Sequence, residues 1–384
     1  MTKEIRLKTD EIVPSLAMLN SVINSKNALP ILGDIRFETK ADNNGGSFLE
    51  LMASDSETWL QVKVPCYDAE VGIVFCVDAK SILQALRNLS GKQVTITVDS
   101  EKHTLRCVYD TGDFSLAYED ASDYPFANVG DGDKTEKRID AAKLLTAIEK
   151  AGFAVANDEL RPIMNGVHFD FLATMMVSVA TDGHKLAKYS DMTIQGDVTP
   201  SGFTLPKKPC GILMNILAST ISGDVKLVYN NGFVVVNNTQ FKLSTRLIDG
   251  NYPKYDSVIP KDNDVIVHVD RAGFVSALKR VIPMGNSSSE LVKISVSGTG
   301  IMVVSAEDYD FSKSAKEELV VDNESHKDIS IGFKGSALLS ILQNIDGNSV
   351  KMMLKNETVA GVFAPWETSE STEYVSLLMP MLIC

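Results

Sequence analysis

VIVHVDRAGFVSALKRVIPM, residues 265–284, passes from an alternating apolar strand through an Asp into apolar residues at helical spacing. The same order occurs at residues 5–23, IRLKTDEIVPSLAMLNSVI, and at residues 137–155, KRIDAAKLLTAIEKAGFAV. Their aspartates, Asp10, Asp140 and Asp270, are spaced 130 residues apart. A carboxylate just ahead of an apolar periodic run can accept the unpaired N–H groups of a first helical turn. Each Asp is therefore expected to cap a helix. A unit that recurs at a fixed period decides the architecture before any other reading.

A second helix recurs in the same rhythm. It lies in VDAKSILQALRNLSGKQVTITV (77–98), LPKKPCGILMNILASTISGDVKLVY (205–229) and FKGSALLSILQNIDGNSVKMML (333–354). The starting residues Val77, Leu205 and Phe333 are 128 apart, and in each copy a Gly break separates the helix from an alternating strand. Between the two helices of each unit lie strand pairs containing ASDSE, ATDGH or SAEDY, starting at Ala53, Ala180 and Ser305. Units one and two share a Tyr-Pro corner, Tyr124-Pro125 and Tyr252-Pro253. The expectation is an α+β fold of three tandem homologous domains, residues 1–133, 134–262 and 263–384.

Hydrophobic residues make up 44% and charged residues 23% of 384, the balance of a folded protein rather than a disordered one. The N-terminal MTKEIRLKTDEI has no apolar signal core, and no eighteen apolar residues run uninterrupted, so a cytoplasmic protein is expected. Cys66, Cys76, Cys107, Cys210 and Cys384 are scattered, odd in number and lack a CxxC pair. They read as buried or incidental thiols, not a disulfide framework.

The net charge of −13 opposes indiscriminate coating of a polyanion, but the two signs are segregated. The helix-bearing windows hold Lys26; Lys80, Arg87 and Lys92; Lys143 and Lys150; Lys207 and Lys208; Arg271, Lys279 and Arg280; and Lys334. Within those windows, residues 12–32, 79–98, 141–156, 198–223, 271–289 and 332–345, which stop short of flanking acids, the only acidic residue is Glu149. Helix propensity alone would place Glu beside Lys, because the two propensities are similar. Helices that keep cations and exclude anions suit nucleic acid, and without a zinc-finger spacing or a basic run the contacts should go to phosphate.

LPILG (29–33), ATDGHKLA (180–187), LIDGNYPKY (247–255) and the terminal LLMPM (377–381), in a chain of tripled units with basic helices, resemble the bacterial DNA polymerase III beta subunit family. The resemblance runs over essentially the whole chain. It implies a DNA clamp fold: a head-to-tail homodimer forming a six-domain ring, with helices lining the hole and sheets outside. It also implies double-stranded DNA bound without sequence specificity. Further implied partners, through a linear peptide motif, are the DNA polymerase III catalytic subunit, the clamp loader, other polymerases and repair proteins.

Lys26 and Lys80 fall on the family's DNA-contacting positions. The charge pattern adds Arg87, Lys143, Lys150, Lys207, Lys208, Arg271, Lys279, Arg280 and Lys334. Two aromatic positions near DNA in some relatives are Pro162 and Ile163 here. The implied peptide cleft comprises Met164, Thr181, Gly183, His184, Lys185, Leu186, Pro253, Val258, Leu377, Leu378, Met379, Pro380 and Met381. Leu382-Ile383-Cys384 follow the MPM motif where a basic residue is common, and Asp256 or Ser257 replaces another basic position, which points to an altered partner preference. Ring closure is expected to set Phe114 and Leu116 against Pro283 and Met284.

Other classes explain less. Asp182 and His184 within ATDGH hint at a metal or acid/base pair, but His103, His168, His268 and His326 supply no ligand spacing. No GxSxG, P-loop or dinucleotide motif is present. Asp and Gly between strands are ordinary turn chemistry. No catalytic residue, metal or cofactor is expected. A repeat-built protein-interaction scaffold without DNA binding would account for the triplication but not for the acid-poor helices.

Overall fold

A computed structural model describes residues 3–42, 45–130, 132–196, 200–220 and 223–383. The first repeat begins β1 (Lys3–Lys8), α1 (Thr9–Asn20), β2 (Asp34–Ala41), β3 (Ser47–Ser54), β4 (Thr58–Pro65), β5 (Asp68–Ala69) and β6 (Val74–Asp78). It closes with α2 (Ala79–Arg87), β7 (Gln93–Asp99), β8 (Thr104–Tyr109) and β9 (Gly112–Ala117). The second begins β10 (Thr135–Asp140), α3 (Ala141–Gly152), β11 (Gly166–Leu172), β12 (Met175–Thr181), β13 (Lys185–Asp191) and β14 (Ser201–Pro206). It closes with α4 (Lys207–Thr220), β15 (Asp224–Tyr229), β16 (Phe233–Asn237) and β17 (Phe241–Arg246). The third begins β18 (Val265–Asp270), α5 (Arg271–Val281), β19 (Leu291–Val296), β20 (Ile301–Asp308), β21 (Lys313–Val320), β22 (Asp322–Asn323) and β23 (Ile329–Lys334). It closes with α6 (Gly335–Asn344), β24 (Ser349–Leu354), β25 (Gly361–Pro365) and β26 (Thr372–Leu378).

The triplication is visible in the backbone. The second helices start at Ala79, Lys207 and Gly335, each 128 residues after the last. The first helices start at Thr9, Ala141 and Arg271, whose N–H groups bond the carbonyls of Lys92, Gly223 and Asn348 at 3.0, 2.9 and 2.8 Å. Asp140 caps α3, accepting from the N–H of Ala142 (3.0 Å) and Lys143 (3.2 Å), and Asp270 caps α5 through Gly273 (2.6 Å).

Asp10 corrects the third expectation. Lys8 occupies the cap of α1 without a side-chain bond, and Asp10 lies inside the first turn. Its carboxylate accepts from Gly91 N–H (2.8 Å) and the Ser90 hydroxyl (3.3 Å), fastening α1 to the turn after α2. The Thr9 hydroxyl, bonded to the Leu89 carbonyl at 2.6 Å, secures the same junction. The even spacing of the three aspartates therefore joins residues of different structural roles.

Alternation builds the sheets. β7 (QVTITVD) buries Val94, Ile96 and Val98, while α1 buries Ile12, Leu16 and Leu19 at helical spacing. One five-stranded sheet runs β5-β1-β7-β8-β9 and one four-stranded sheet runs β21-β20-β19-β23. The other two sheets each join strands of two repeats. In the eight-stranded sheet, β10-β15-β16-β17 continues into β4-β3-β2-β6. In the nine-stranded sheet, β14-β11-β12-β13 continues into β26-β25-β24-β18-β22. The joining pairs are antiparallel, with Phe241 opposite Val62 and Thr245 opposite Thr58 in one, and Lys185 opposite Leu378 and Asp191 opposite Thr372 in the other.

Two compact units result, Met1–Lys143 with Gly211–Leu247, and Leu144–Cys210 with Ile248–Cys384. Cys76, Cys107 and Cys210 are buried, and desolvation pushes each thiol up to about 12. Cys384 lies outside the described residues.

Candidate functional site

ATDGH forms the turn between β12 and β13. Asp182 Oδ1 accepts from the N–H groups of His184 (2.9 Å) and Lys185 (2.8 Å), and its Oδ2 pairs with the Lys185 ammonium. Burial pushes the Asp182 pKa up, but the Lys185 ammonium and these N–H groups outweigh it and hold the carboxyl below its ordinary value. Gly183 has φ +89, a left-handed conformation, and a Cβ there would stand 3.0 Å from the Arg161 guanidinium. The Asp and Gly of this motif are thus engaged in shaping the turn. Among the described residues no three His, Cys, Asp or Glu side chains converge to hold a metal.

β13 leaves the turn beside β26, with Lys185 opposite Leu378 and Leu186 opposite Leu377. The pairing continues through Met379 N–H to the His184 carbonyl (2.8 Å), after which Met381 N–H bonds the Gly332 carbonyl on β23 (2.8 Å). The structure therefore brings Thr181, Gly183, His184, Lys185 and Leu186 beside Leu377, Leu378 and Met379. Leu186 and Leu377 are buried in one cluster with Val179, Ala360 and Val362, and Tyr252, Tyr255 and Ile259 pack against it. Around this floor, Met379 and Val258 remain 42% and 56% exposed, and Pro253 is exposed as well. Pro380 and Met381 are half-buried. Apolar side chains left at the surface beside a buried apolar floor suit a short docked segment. Met164 is buried in a one-turn 3-10 helix, Pro162–Met164, next to Arg161.

The loop 250–257 borders this surface, with Tyr252 and Tyr255 packed on its floor. Its Tyr255 hydroxyl donates to Asp170 Oδ2 at 2.7 Å, and its Tyr252 ring stacks on the His168 imidazole with centroids 4.5 Å apart. A cavity of about 600 Å³ opens along the loop, lined by His168, Asp170, Tyr252 and Tyr255 among others. Arg161, beside Gly183, and Tyr252 and Tyr255, packed on the Leu186–Leu377 cluster, adjoin the expected cleft residues without being among them. The two tyrosines stand inside the LIDGNYPKY motif, which could have flagged them, while Arg161 is placed only by the fold.

The cations of the helix-bearing windows divide, and not all of them stand on helices. Lys26 lies in the loop after α1 and Lys334 ends β23. α1 itself carries Asp10 and Glu11 with no cation, contrary to the expected acid-free basic helix. Lys26, Lys80, Arg87, Lys207 and Lys279 are exposed and form no ion pair among the described residues. Lys143 and Lys208 are half-buried. Arg271 Nε donates to the Gly347 carbonyl (2.8 Å), Arg280 forms a two-pronged pair with Glu317, and Lys334 stands 3.8 Å from Glu290. Lys150 departs from expectation as an open cation. Its ammonium donates to the Asn344 carbonyl (2.8 Å) and Asp346 Oδ1 (2.5 Å), it lies over the Tyr374 ring, and its side chain is 12% exposed. Asp346 neutralises the charge that the helix pattern assigned to a polyanion.

Phe114 and Leu116 lie half-buried on β9, the edge of its sheet, and β21 is an edge of the four-stranded sheet. Pro283 and Met284 follow α5 in a one-turn 3-10 helix packed on β20 and β21, where Met284 is 41% exposed.

Three family descriptions match in order: DNA polymerase III beta subunit, N-terminal domain over residues 3–128, central domain over 138–254 and C-terminal domain over 256–381. The beta sliding clamp of Pseudomonas putida is 25% identical over 377 residues, 98% of each chain. That of Caulobacter vibrioides is 26% identical over 350 residues, 90% of this chain and 91% of its own. The crystal structure of the sliding clamp from Bartonella birtlesii bound to griselimycin superposes with a TM-score of 0.90 at 25% identity, covering all of both chains. The Pseudomonas aeruginosa clamp bound to griselimycin gives 0.91 at 23% identity over the same full coverage. Three matched domains over nearly the full length, on a backbone of three repeated helix-and-sheet units, establish that the chain belongs to the DNA polymerase III beta subunit family.

Proposed function

We propose that this chain is a non-catalytic processivity factor of the cytoplasm. Two copies close head to tail into a ring around duplex DNA, and the ring tethers polymerases through a peptide docked in the cleft. One observation carries the ring. β4, β13 and β21 hold the same place in the three repeats, as do β9, β17 and β26, and β17 pairs with β4 while β26 pairs with β13. The pair that would continue the series, β9 with β21, is not made within the chain, and both strands are left as sheet edges. Pairing β9 of one copy with β21 of the next hides both edges, and a head-to-tail contact whose rotation closes gives a ring. Phe114 and Leu116 on β9, with Pro283 and Met284 beside β21, are the side chains proposed to pack there.

The domains of this reading are residues 1–133, 134–262 and 263–384. The exposed cations Lys26, Lys80, Arg87, Lys207 and Lys279 are assigned to the DNA-facing surface, where thinly spaced charges hold phosphate without halting sliding. A closed ring cannot leave sideways, so the polymerase bound to it stays at high effective concentration near its template. The proposed occupants of the cleft are linear segments of the DNA polymerase III catalytic subunit, the clamp loader, other polymerases and repair proteins. Met379, Met381 and Leu377 supply adaptable apolar contact, and the Thr181–Leu186 turn supplies backbone groups.

The test is topological. Loaded by a clamp loader onto nicked circular DNA, the protein should co-elute with the circle through gel filtration and be lost when the circle is linearised. Equal retention on linear and circular DNA, or none on either, would sink the ring reading.

A further inference from the structure

His168 and Asp170 are two residues apart on β11 and so project from the same face. His168 Nδ1 meets the Thr204 hydroxyl of β14 at 2.9 Å, and its Nε2 meets Asp170 Oδ1 at 3.1 Å. The second oxygen of Asp170 accepts from the Tyr255 hydroxyl at 2.7 Å. The Tyr252 ring lies parallel to the imidazole, within 7°. Gly202, opposite Asp170 on β14, leaves room for this carboxylate, since a Cβ there would stand 2.7 Å from Asp170 Oδ1. A four-membered chain, Thr204–His168–Asp170–Tyr255, therefore crosses from two strands into the loop 250–257.

That loop borders the cleft. Tyr252 and Tyr255 rest on the cluster that contains Leu186 and Leu377, with Pro253 between them and Val258 three residues on. Lys188 adds a clamp from β13, donating to Asp256 at 2.7 Å and lying 5.7 Å from the Tyr255 ring centroid. Burial pushes Asp170 up, yet the bonds from His168 and Tyr255 outweigh it and keep its pKa below the ordinary value. Burial, and then Asp170 itself, push the Tyr255 hydroxyl up, so it remains a donor.

We propose that the His168–Asp170–Tyr255 chain is a positioning element of the peptide cleft, holding residues 252–258 as a preformed wall so that a docking segment need not order it. The inference rests on the cleft reading above. Pre-ordering a wall removes part of the entropic cost of binding without adding any contact to the ligand. Asp170 and Tyr255 should consequently behave as one unit in binding, though the proposal requires neither to touch the ligand.

The experiment titrates the full-length protein with griselimycin, which the Bartonella birtlesii and Pseudomonas aeruginosa clamps bind. The variants are Asp170→Ala, Tyr255→Phe, the two combined, and Met379→Ala with Met381→Ala. Each single change at the chain should raise Kd about tenfold, and the combined variant should be no weaker than the weaker single, because each breaks the same link. Melting temperatures should stay within about 2 °C of the parent, which separates positioning from a general loss of fold. Unchanged Kd with lowered melting temperature would assign the chain a structural role only and overturn the proposal, as would effects that simply add. If the Met379/Met381 variant also binds griselimycin as the parent does, the cleft reading itself falls and takes the inference with it.

Discussion

Asp34, the first residue of β2, stands opposite Asp78 in the register of β2 with β6 and has Glu119 nearby. Burial first, and then these two carboxylates, push its pKa up to about 6. A carboxyl whose folded pKa lies above its unfolded value contributes stability that is fully present below the unfolded pKa. That contribution is lost as pH rises through the folded pKa. Asp34 therefore favours the folded state in acid and loses that advantage as pH passes about 6. Because the group is half exposed, solvent screens part of the effect. Asp34→Asn should raise the melting temperature by about 2–4 °C near pH 7.5; the gain should shrink to about a third of that near pH 4.5 and vanish only below the unfolded value of 3.8, where the carboxyl is protonated in both states. Scanning calorimetry at the two pH values decides it, and an equal gain at both would detach the effect from titration.

The decisive elements are the two unpaired edges, β9 and β21. Natural edge strands discourage pairing with buried-facing charge, and Leu116 is one of the apolar residues proposed to be covered when β9 meets its partner. Leu116→Lys should shift the protein from dimer to monomer in sedimentation at micromolar concentration without unfolding either unit; a variant that stays dimeric would remove β9 from the interface. The helix pattern predicted the elements well, since α2, α4 and α6 start where the 128-residue rhythm places them. That the turn of ATDGH and the terminal MPM share a cleft came from the family resemblance and not from either motif alone; the structure sets them side by side through the β13–β26 pairing. What pairing does over long distances was not legible. The buried Thr58–Thr245 hydroxyl contact, 3.0 Å across the β4–β17 junction, joins residues 187 apart. Asp170 and Tyr255 are 85 apart, and nothing in either local sequence predicts their bond. Asp10 shows the opposite failure, in which a regular spacing suggested one role and the backbone assigned another.

For the whole molecule, the governing fact is a net charge of −13 in a chain whose helix windows keep their cations. Duplex DNA holds condensed counterions, and each cation placed against a phosphate releases one of them. Affinity consequently falls with salt at a slope set by the number of phosphates neutralised. Lys150 contributes little to that number because Asp346 already pairs with it, whereas Arg87 and Lys207 are exposed without an ion pair among the described residues. Neutralising a cation that meets phosphate should lower binding modestly and flatten the log–log salt dependence by about one unit for each phosphate no longer met. Arg87→Gln combined with Lys207→Gln removes two cations from each of two copies and should therefore flatten the slope by up to about four, while Lys150→Gln leaves it nearly unchanged. Equilibrium binding of the unloaded protein to a short linear duplex, whose open ends the ring can thread, followed by fluorescence across a salt series, distinguishes the two sets. A slope that responds to Lys150 but not to Arg87 and Lys207 would mean that the exposed helix cations face away from DNA, and the charge segregation would then need another explanation.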